Sequence, residues 1–158
     1  MGAHVSACPN HQTGRTTPLE TRAVVAMAGT FGYELDPGKL TEKERDQVKE
    51  QIAVFKKYYG LIQDGLYYRL TNPAQDEHYA AWEFADENGK EALLCVVASK
   101  VRTNDPPSRL LLRGLREEAV YEMDGKEYPG GALMNGGFPL PEAKEEYQSW
   151  MFHFCLKK

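Results

Sequence analysis

A chain of 158 residues is long enough for one domain with a real core, or for a small domain joined to part of another, and is crowded for two complete domains. Hydrophobic residues at 42% and charged residues at 27% place it in the ordinary globular class, which excludes a disordered, collagen-like or disulfide-dense protein. A net charge of −4 with no basic block argues against nucleic acid or an anionic membrane as partner, because both reward clustered Lys and Arg.

The opening residues, MGAHVSACPN, have no cationic stretch followed by an apolar run, and no apolar segment approaches the ~20 residues of a membrane span. The expectation is a cytoplasmic protein with no export signal and no membrane contact. Cys8, Cys95 and Cys155 are odd in number and far apart, which suits reduced thiols. A Cys95–Cys155 bridge between strands is the alternative. Residues 1–16 are rich in Gly, Pro, Asn, His and Thr and read as an irregular loop. Thr17-Pro18-Leu19-Glu20 then predicts a helix start, with Thr17 as cap, Pro18 in the first turn and Glu20 at the capping-box position. That helix should run to about Ala28. Its interior, AVVAMA, is apolar nearly all round and implies burial between layers. Gly29 ends it, residues 31–35 form a short strand, and Asp36-Pro37-Gly38 turns the chain.

Thr41-Glu42-Lys43-Glu44 is a second capping box, opening a long helix. Val48, Ile52, Phe55, Tyr59 and Ile62 fall at spacings of four and three and predict its packed stripe. Asp64-Gly65 stops it. From Leu66 the period changes to two. Strands are predicted over residues 66–70, 78–85, 91–101, 109–115, 119–123, a short piece at 132–134, and 147–157. The turn signals between them are Asn72-Pro73, Asn88-Gly89, Asp105-Pro106-Pro107, Asp124-Gly125, Pro129-Gly130-Gly131 and Asn135-Gly136-Gly137, of which Asn88-Gly89 is the strongest for a hairpin. About seven short strands at this spacing predict an antiparallel sandwich of two sheets.

Three blocks resemble the C-terminal part of the α-galactosidases of glycoside hydrolase family 36. The first is GAHVSACPNHQTGRTTPLETR (residues 2–22), which is similar to the family's Gly-Ala-His-Val-Ser, Pro-Asn-His-Gln, Thr-Pro-Leu and Thr-Arg runs. The second is GTFGYELD (residues 29–36), resembling the last barrel strand and its exit. The third joins Tyr68-Arg69-Leu70, Ala81-Trp82, Leu112-Arg113-Gly114-Leu115 and the glycine-rich residues 131–136, resembling the small β domain that follows the barrel. The resemblance implies an α+β chain. Residues 1–65 would be helices and a short strand from the end of a (β/α)8 barrel, and residues 66–158 an antiparallel β-sandwich C-terminal domain.

The family hydrolyses terminal non-reducing α-linked galactose with retention, using one aspartate as nucleophile and another as acid/base, ~5 Å apart. Both belong to motifs upstream of the Gly-Ala-His-Val-Ser block, and the nucleophile run Lys-x-Asp-x-Asn has no counterpart here. The resemblance therefore implies a structural portion of the enzyme, a fragment or a truncated gene product, with no catalytic residue, cofactor or metal of its own. Its partners would be the rest of the barrel and, in the full enzyme, an α-galactoside or galacto-oligosaccharide, with assembly into a homo-oligomer. Apolar residues 23–27 on a helix without a barrel predict self-association. The alternative is a stand-alone carbohydrate-binding β-sandwich module.

His4, Cys8 and His11, at spacings of four and three, carry donor types that bind zinc. Pro9 breaks any helix that would align them, and no fourth ligand is evident, so His4, Ser6, Asn10 and His11 are read as hydrogen bonders fixing a loop. Glu34 and Asp36 form a carboxylate pair at strand spacing, ~6.5 Å apart side by side. They are read as capping the next turn and pairing with Arg22 or Lys39. Among the aromatics, Trp82 with Phe84, and Trp150 with Phe152 and Phe154, are read as core faces rather than a sugar-stacking platform. Arg15 and Arg22 are read as ion-pair partners.

Overall fold

The computed structural model describes residues 2–72, 74–104 and 107–157. Pro73 of the first turn signal and Asp105 and Pro106 of the third lie outside them. The chain divides into two compact units, Met1–Gln63 and Asp64–Lys158.

The first unit is built on a two-residue parallel pair, β1 (Val5–Ser6) and β2 (Tyr33–Glu34), with Val5 opposite Tyr33 and Ser6 opposite Glu34. Strand β1 falls in the stretch read as loop; two residues carry too little periodicity to show. Strand β2 is shorter than the predicted 31–35 because Phe31 sits at φ 45°, outside the β region. Between them runs α1 (Leu19–Met27), with Pro18 rather than Thr17 at the N-cap and no side-chain cap bond. The Thr17 carbonyl instead accepts Arg22 Nε at 3.0 Å, which pulls Thr17 away from the helix start. Ala23, Val24, Ala26 and Met27 are buried, whereas Val25 is half exposed, so the helix has one open side.

A 3-10 turn, Pro37–Lys39, leads into α2 (Glu42–Asp64). The capping box forms as predicted: Glu44 N donates to Thr41 Oγ1 at 3.2 Å and Thr41 N donates to Glu44 Oε2 at 2.8 Å. These bonds to the charged form hold the Glu44 carboxyl below its usual range. The packed stripe is rotated from the predicted one. Gln51 and Ile62 are its buried members, while Ile52 and Tyr59 face solvent. The cause is polar: Gln51 Oε1 accepts from the Tyr33 hydroxyl at 2.8 Å and its Nε2 donates to the Leu19 carbonyl. Phe31 stacks with Phe55 (4.8 Å between centroids) and Tyr33 (5.3 Å), completing this small core. Burial pushes the Tyr33 hydroxyl up to about 12.

The second unit holds a six-stranded antiparallel sheet in the order β3-β4-β5-β10-β7-β8 and a two-stranded antiparallel ladder, β6-β9. The strands are β3 (Leu66–Arg69), β4 (Tyr79–Ala85), β5 (Glu91–Ala98), β6 (Arg109–Leu110), β7 (Val120–Met123), β8 (Lys126–Pro129), β9 (Phe138–Pro139) and β10 (Ser149–Leu156). Strands β8 and β9 were not expected, the predicted 109–115 strand shrinks to two residues, and residues 132–134 belong to a π-helical turn, Ala132–Gly136. The tight hairpin is at Asp124-Gly125, both at positive φ as a type I′ turn requires. Asn88-Gly89 also joins two strands, but through a longer loop in which Asp86 Oδ1 accepts from Asn88 N and Lys90 N and Gly89 alone takes positive φ.

Ladder residues Leu110 and Phe138 join Ala81, Leu94, Val96, Leu112, Tyr121, Leu133 and Phe154 in one core, so the ladder and its flanking turns cover one face of the sheet as the second layer of a lopsided sandwich. Trp82, Phe84, Leu93, Cys95 and Val97 on the opposite face are buried as well. Trp82 pairs with Cys95 and Phe152 with Leu94, so Trp82 and the Trp150–Phe152–Phe154 set point to opposite faces. Glu83 points into the sandwich between Ala81 and Ala85, fully buried, its Oε2 accepting from Arg113 N at 2.9 Å.

Two details explain the Leu112-Arg113-Gly114-Leu115 run. Gly114 adopts φ 66°, and a Cβ there would lie 2.8 Å from that of Ala85. Next to it, buried Tyr121 donates its hydroxyl hydrogen to Gly89 O at 2.6 Å and accepts from Arg116 N at 2.8 Å, tying the β4–β5 hairpin to this loop. Replacing Tyr121 by Phe strands both backbone groups and should cost about 1–3 kcal/mol in urea unfolding. A loss no greater than that of Tyr128→Phe would show that the bridge does not matter.

Candidate functional site

The residues singled out near the N-terminus gather around the β1–β2 pair. Val5 is fully buried and its N–H donates to Gly32 O at 2.7 Å, which turns the neighbouring side chains His4 and Ser6 to the other side. His4 Nε2 meets Glu34 Oε2 at 2.7 Å, with both side chains largely exposed, so the contact orients the strand ends more than it stabilises them. Asp36 Oδ1 accepts from Gly38 N at 2.9 Å, capping the turn as read from the sequence. The expected carboxylate partners are corrected: Glu34 pairs with His4, and Arg22 is spent on backbone carbonyls, Thr17 O and Ser6 O. Arg22 thus fastens the end of β1 to the start of α1.

The loop after β1 holds itself. Asn10 Oδ1 accepts from Gln12 N, Thr13 N and Thr13 Oγ1, and Gly14 N returns to Asn10 O. The Cys8–Pro9 peptide is cis, and Cys8 Sγ donates to Thr17 O at 3.6 Å. His4, Cys8 and His11 do not converge. Among the described residues, the three metal-ligand side chains that do are Glu91, His153 and Cys155 on the sheet, which the sequence reading did not single out. They are brought together by the β5–β10 register across 62 residues of chain.

In the second unit a cleft of about 310 Å³ opens between Tyr79, Lys100, Arg102, Ser108, Leu140 and Glu142. Its cations already share one carboxylate, Lys100 Nζ at 3.0 Å and an Arg102 amine at 2.9 Å from Glu77 Oε2, and they hold that carboxyl below its usual range. The cleft offers one aromatic edge rather than a row. Trp82, Tyr121, Phe138 and Phe154 are buried, and the large aromatic exposed on the sheet, among the described residues, is Tyr67. A sugar-stacking platform is therefore not formed there. The three cysteines are free thiols. Cys95 faces Met151 across the β5–β10 ladder while Cys155 faces Glu91, four rows or about 13 Å along the strands, beyond bridging reach. Burial also pushes the Cys95 thiol far up, so it is inert.

Two family models match, Melibiase over residues 1–65 and the glycosyl hydrolase family 36 C-terminal domain over residues 79–154. The chain belongs to glycoside hydrolase family 36, in its C-terminal part. It is 51% identical over its full length to the bifunctional alpha-galactosidase/sucrose kinase AgaSK of Mediterraneibacter gnavus, and 44% identical over 96% of its length to alpha-galactosidase AgaA of Geobacillus stearothermophilus. These matches cover 17% and 21% of the two relatives, so the chain spans about a fifth of their length. Among solved structures, the galactosidase domain of AgaSK superposes with a TM-score of 0.95 at 49% identity, over 99% of this chain and 22% of that one. A doubly substituted variant of AgaA in complex with raffinose superposes at 0.95 and 42% identity, with the same coverage. In this family 36 chain, then, the pair β1–β2 with α1 and α2 lies in the Melibiase match, and β4 to β10 lie almost wholly in the C-terminal domain match.

Proposed function

We propose that this chain serves hydrolysis of terminal α-D-galactose residues as a scaffold, with no turnover of its own. Residues 1–65 would supply the last strands of the catalytic barrel and residues 66–158 the β domain that follows it in the chain. The observation that carries this reading is the β1–α1–β2 unit. A parallel pair of two-residue strands joined by a helix is not a sheet in its own right, because parallel strands are found buried within larger sheets. The partner is accordingly the remaining barrel of an α-galactosidase, with α-galactosides and galacto-oligosaccharides as substrates of the whole. Cytoplasmic location and homo-oligomer assembly belong to the same proposal. No helix among the described residues is long and apolar enough to cross a membrane.

Two measurements test it. The purified chain should release no chromophore from a nitrophenyl α-galactoside above a buffer blank, and clear turnover would overturn the scaffold reading. Grafted in place of the C-terminal fifth of AgaA, the chain should give an active α-galactosidase. A folded but inactive chimera would refute the proposed partnership.

A further inference from the structure

Strands β5 and β10 bring a carboxylate, an imidazole and a thiol together on one face of the sheet. Cys155 is the register partner of Glu91, and His153, two residues earlier on β10, shares its face. His153 Nε2 lies 2.7 Å from Glu91 Oε2, and Cys155 Sγ lies 3.5 Å from both ring nitrogens. One ligand atom from each residue falls within 4.8 Å of the others. The His153 side chain is one-fifth exposed and that of Glu91 about two-fifths, so an ion has access from solvent.

We propose that Glu91, His153 and Cys155 form a site for a thiophilic divalent cation, zinc in type, with water completing four-coordination. The donor set is the first argument. Thiolate with imidazole and a carboxylate selects zinc, cobalt or copper over magnesium and calcium, which prefer all-oxygen shells. Geometry is the second. A tetrahedral zinc holding sulfur at about 2.3 Å and nitrogen at about 2.05 Å sets those two atoms about 3.5 Å apart; Cys155 Sγ is that far from His153 Nε2 but equally far from Nδ1, so the thiol lies beside the ring and has to swing toward the Nε2 lone pair to share an ion with it. The corresponding nitrogen–oxygen edge is about 3.3 Å, so the carboxylate of Glu91, on a flexible and part-exposed side chain, has to retreat by only about 0.6 Å. The cation takes the hydrogen-bonded place between His153 Nε2 and Glu91 Oε2, and the Cys155 thiol gives up its proton to bind it. Binding therefore releases protons and strengthens as pH rises. Glu91 opens β5 and Cys155 lies near the end of β10, so the ion would clamp the two central strands where their ladder terminates.

The test is titration of the purified, chelator-treated chain with cobalt(II), read by absorption. The expected result is a thiolate-to-cobalt charge-transfer band saturating at one equivalent per chain, bleached by zinc and untouched by excess magnesium or calcium. Cys155→Ser should abolish the band, whereas Cys8→Ser should keep it. Glu91→Gln and His153→Gln should weaken binding by at least the ~10- to ~100-fold that loss of even a supporting group costs at metal sites. Should Cys155→Ser fail to fold by circular dichroism, these two variants carry the test. No band in the parent chain, a band surviving in folded Cys155→Ser, or unchanged affinity in both Glu91→Gln and His153→Gln would overturn the site.

Discussion

Replacing Phe154 by alanine should destabilise the β domain by about 3–5 kcal/mol, the range for deleting a buried phenyl ring. The side chain is fully buried on a central strand, and its ring lies 5.2 Å from that of Phe138 and 5.9 Å from that of Tyr128, both edge-on. Phe138 comes from the short ladder and Tyr128 from the sheet's edge strand, so this one ring joins both layers of the sandwich. No neighbour can collapse into the space without abandoning its own layer. Against a total stability of about 5–15 kcal/mol such a loss is large. Phe152, two residues earlier and only partly buried, packs at the margin of this core with its ring 4.9 Å from that of Phe138, and should cost clearly less on truncation. Urea midpoints of Phe154→Ala and Phe152→Ala provide the check, and equal losses would mean that the junction is not where the sandwich is held.

The parts of this structure that were legible in the sequence are those written locally. The Thr41–Glu44 capping box needs only four residues, and the long strands β4, β5 and β10 each show an apolar-rich run of seven or eight residues. The family blocks were legible because residues 2–22 and 29–36 are long, unusual runs. What failed depended on distant partners. The face of α2 turned because Gln51, polar by type, is buried on bonds to Tyr33 and Leu19, 18 and 32 residues away. The turn at Ala132–Gly136 reads as strand because Ala, Leu and Met are apolar in sequence, but among its residues Leu133 is the one buried. Two-residue strands such as β1 and β9 exist only through the strands they meet. The Glu91, His153 and Cys155 grouping was invisible for the same reason: it depends on the register of one strand against another.

Glu83 should make the β domain less stable at pH 8 than at pH 5. Its carboxyl is fully enclosed on the inner face of the sheet, and burial pushes its pKa from 4.5 up to about 7, against the opposing pull of the Arg113 backbone N–H and guanidinium. Between those two values the folded chain keeps a proton that the unfolded chain has released. The folded state binds more protons there, so stability falls as pH rises through this window. The deficit is absent below about pH 4.5 and fully developed above about pH 7, where it reaches about 3 kcal/mol at 1.36 kcal/mol per unit of displacement. Glu83→Gln keeps the size and an acceptor for Arg113 N but has no charge to bury. Urea unfolding of both proteins at pH 5 and pH 8 should show the variant gaining on the parent by most of that amount at the higher pH. Glu44, Asp46 and Glu77 titrate lower than usual, so their stabilising effect is lost only as pH falls below the carboxylate range, and they leave this window clear. A difference between the two proteins that does not change with pH would mean that Glu83 is ionised in the folded core and that its charge is balanced there.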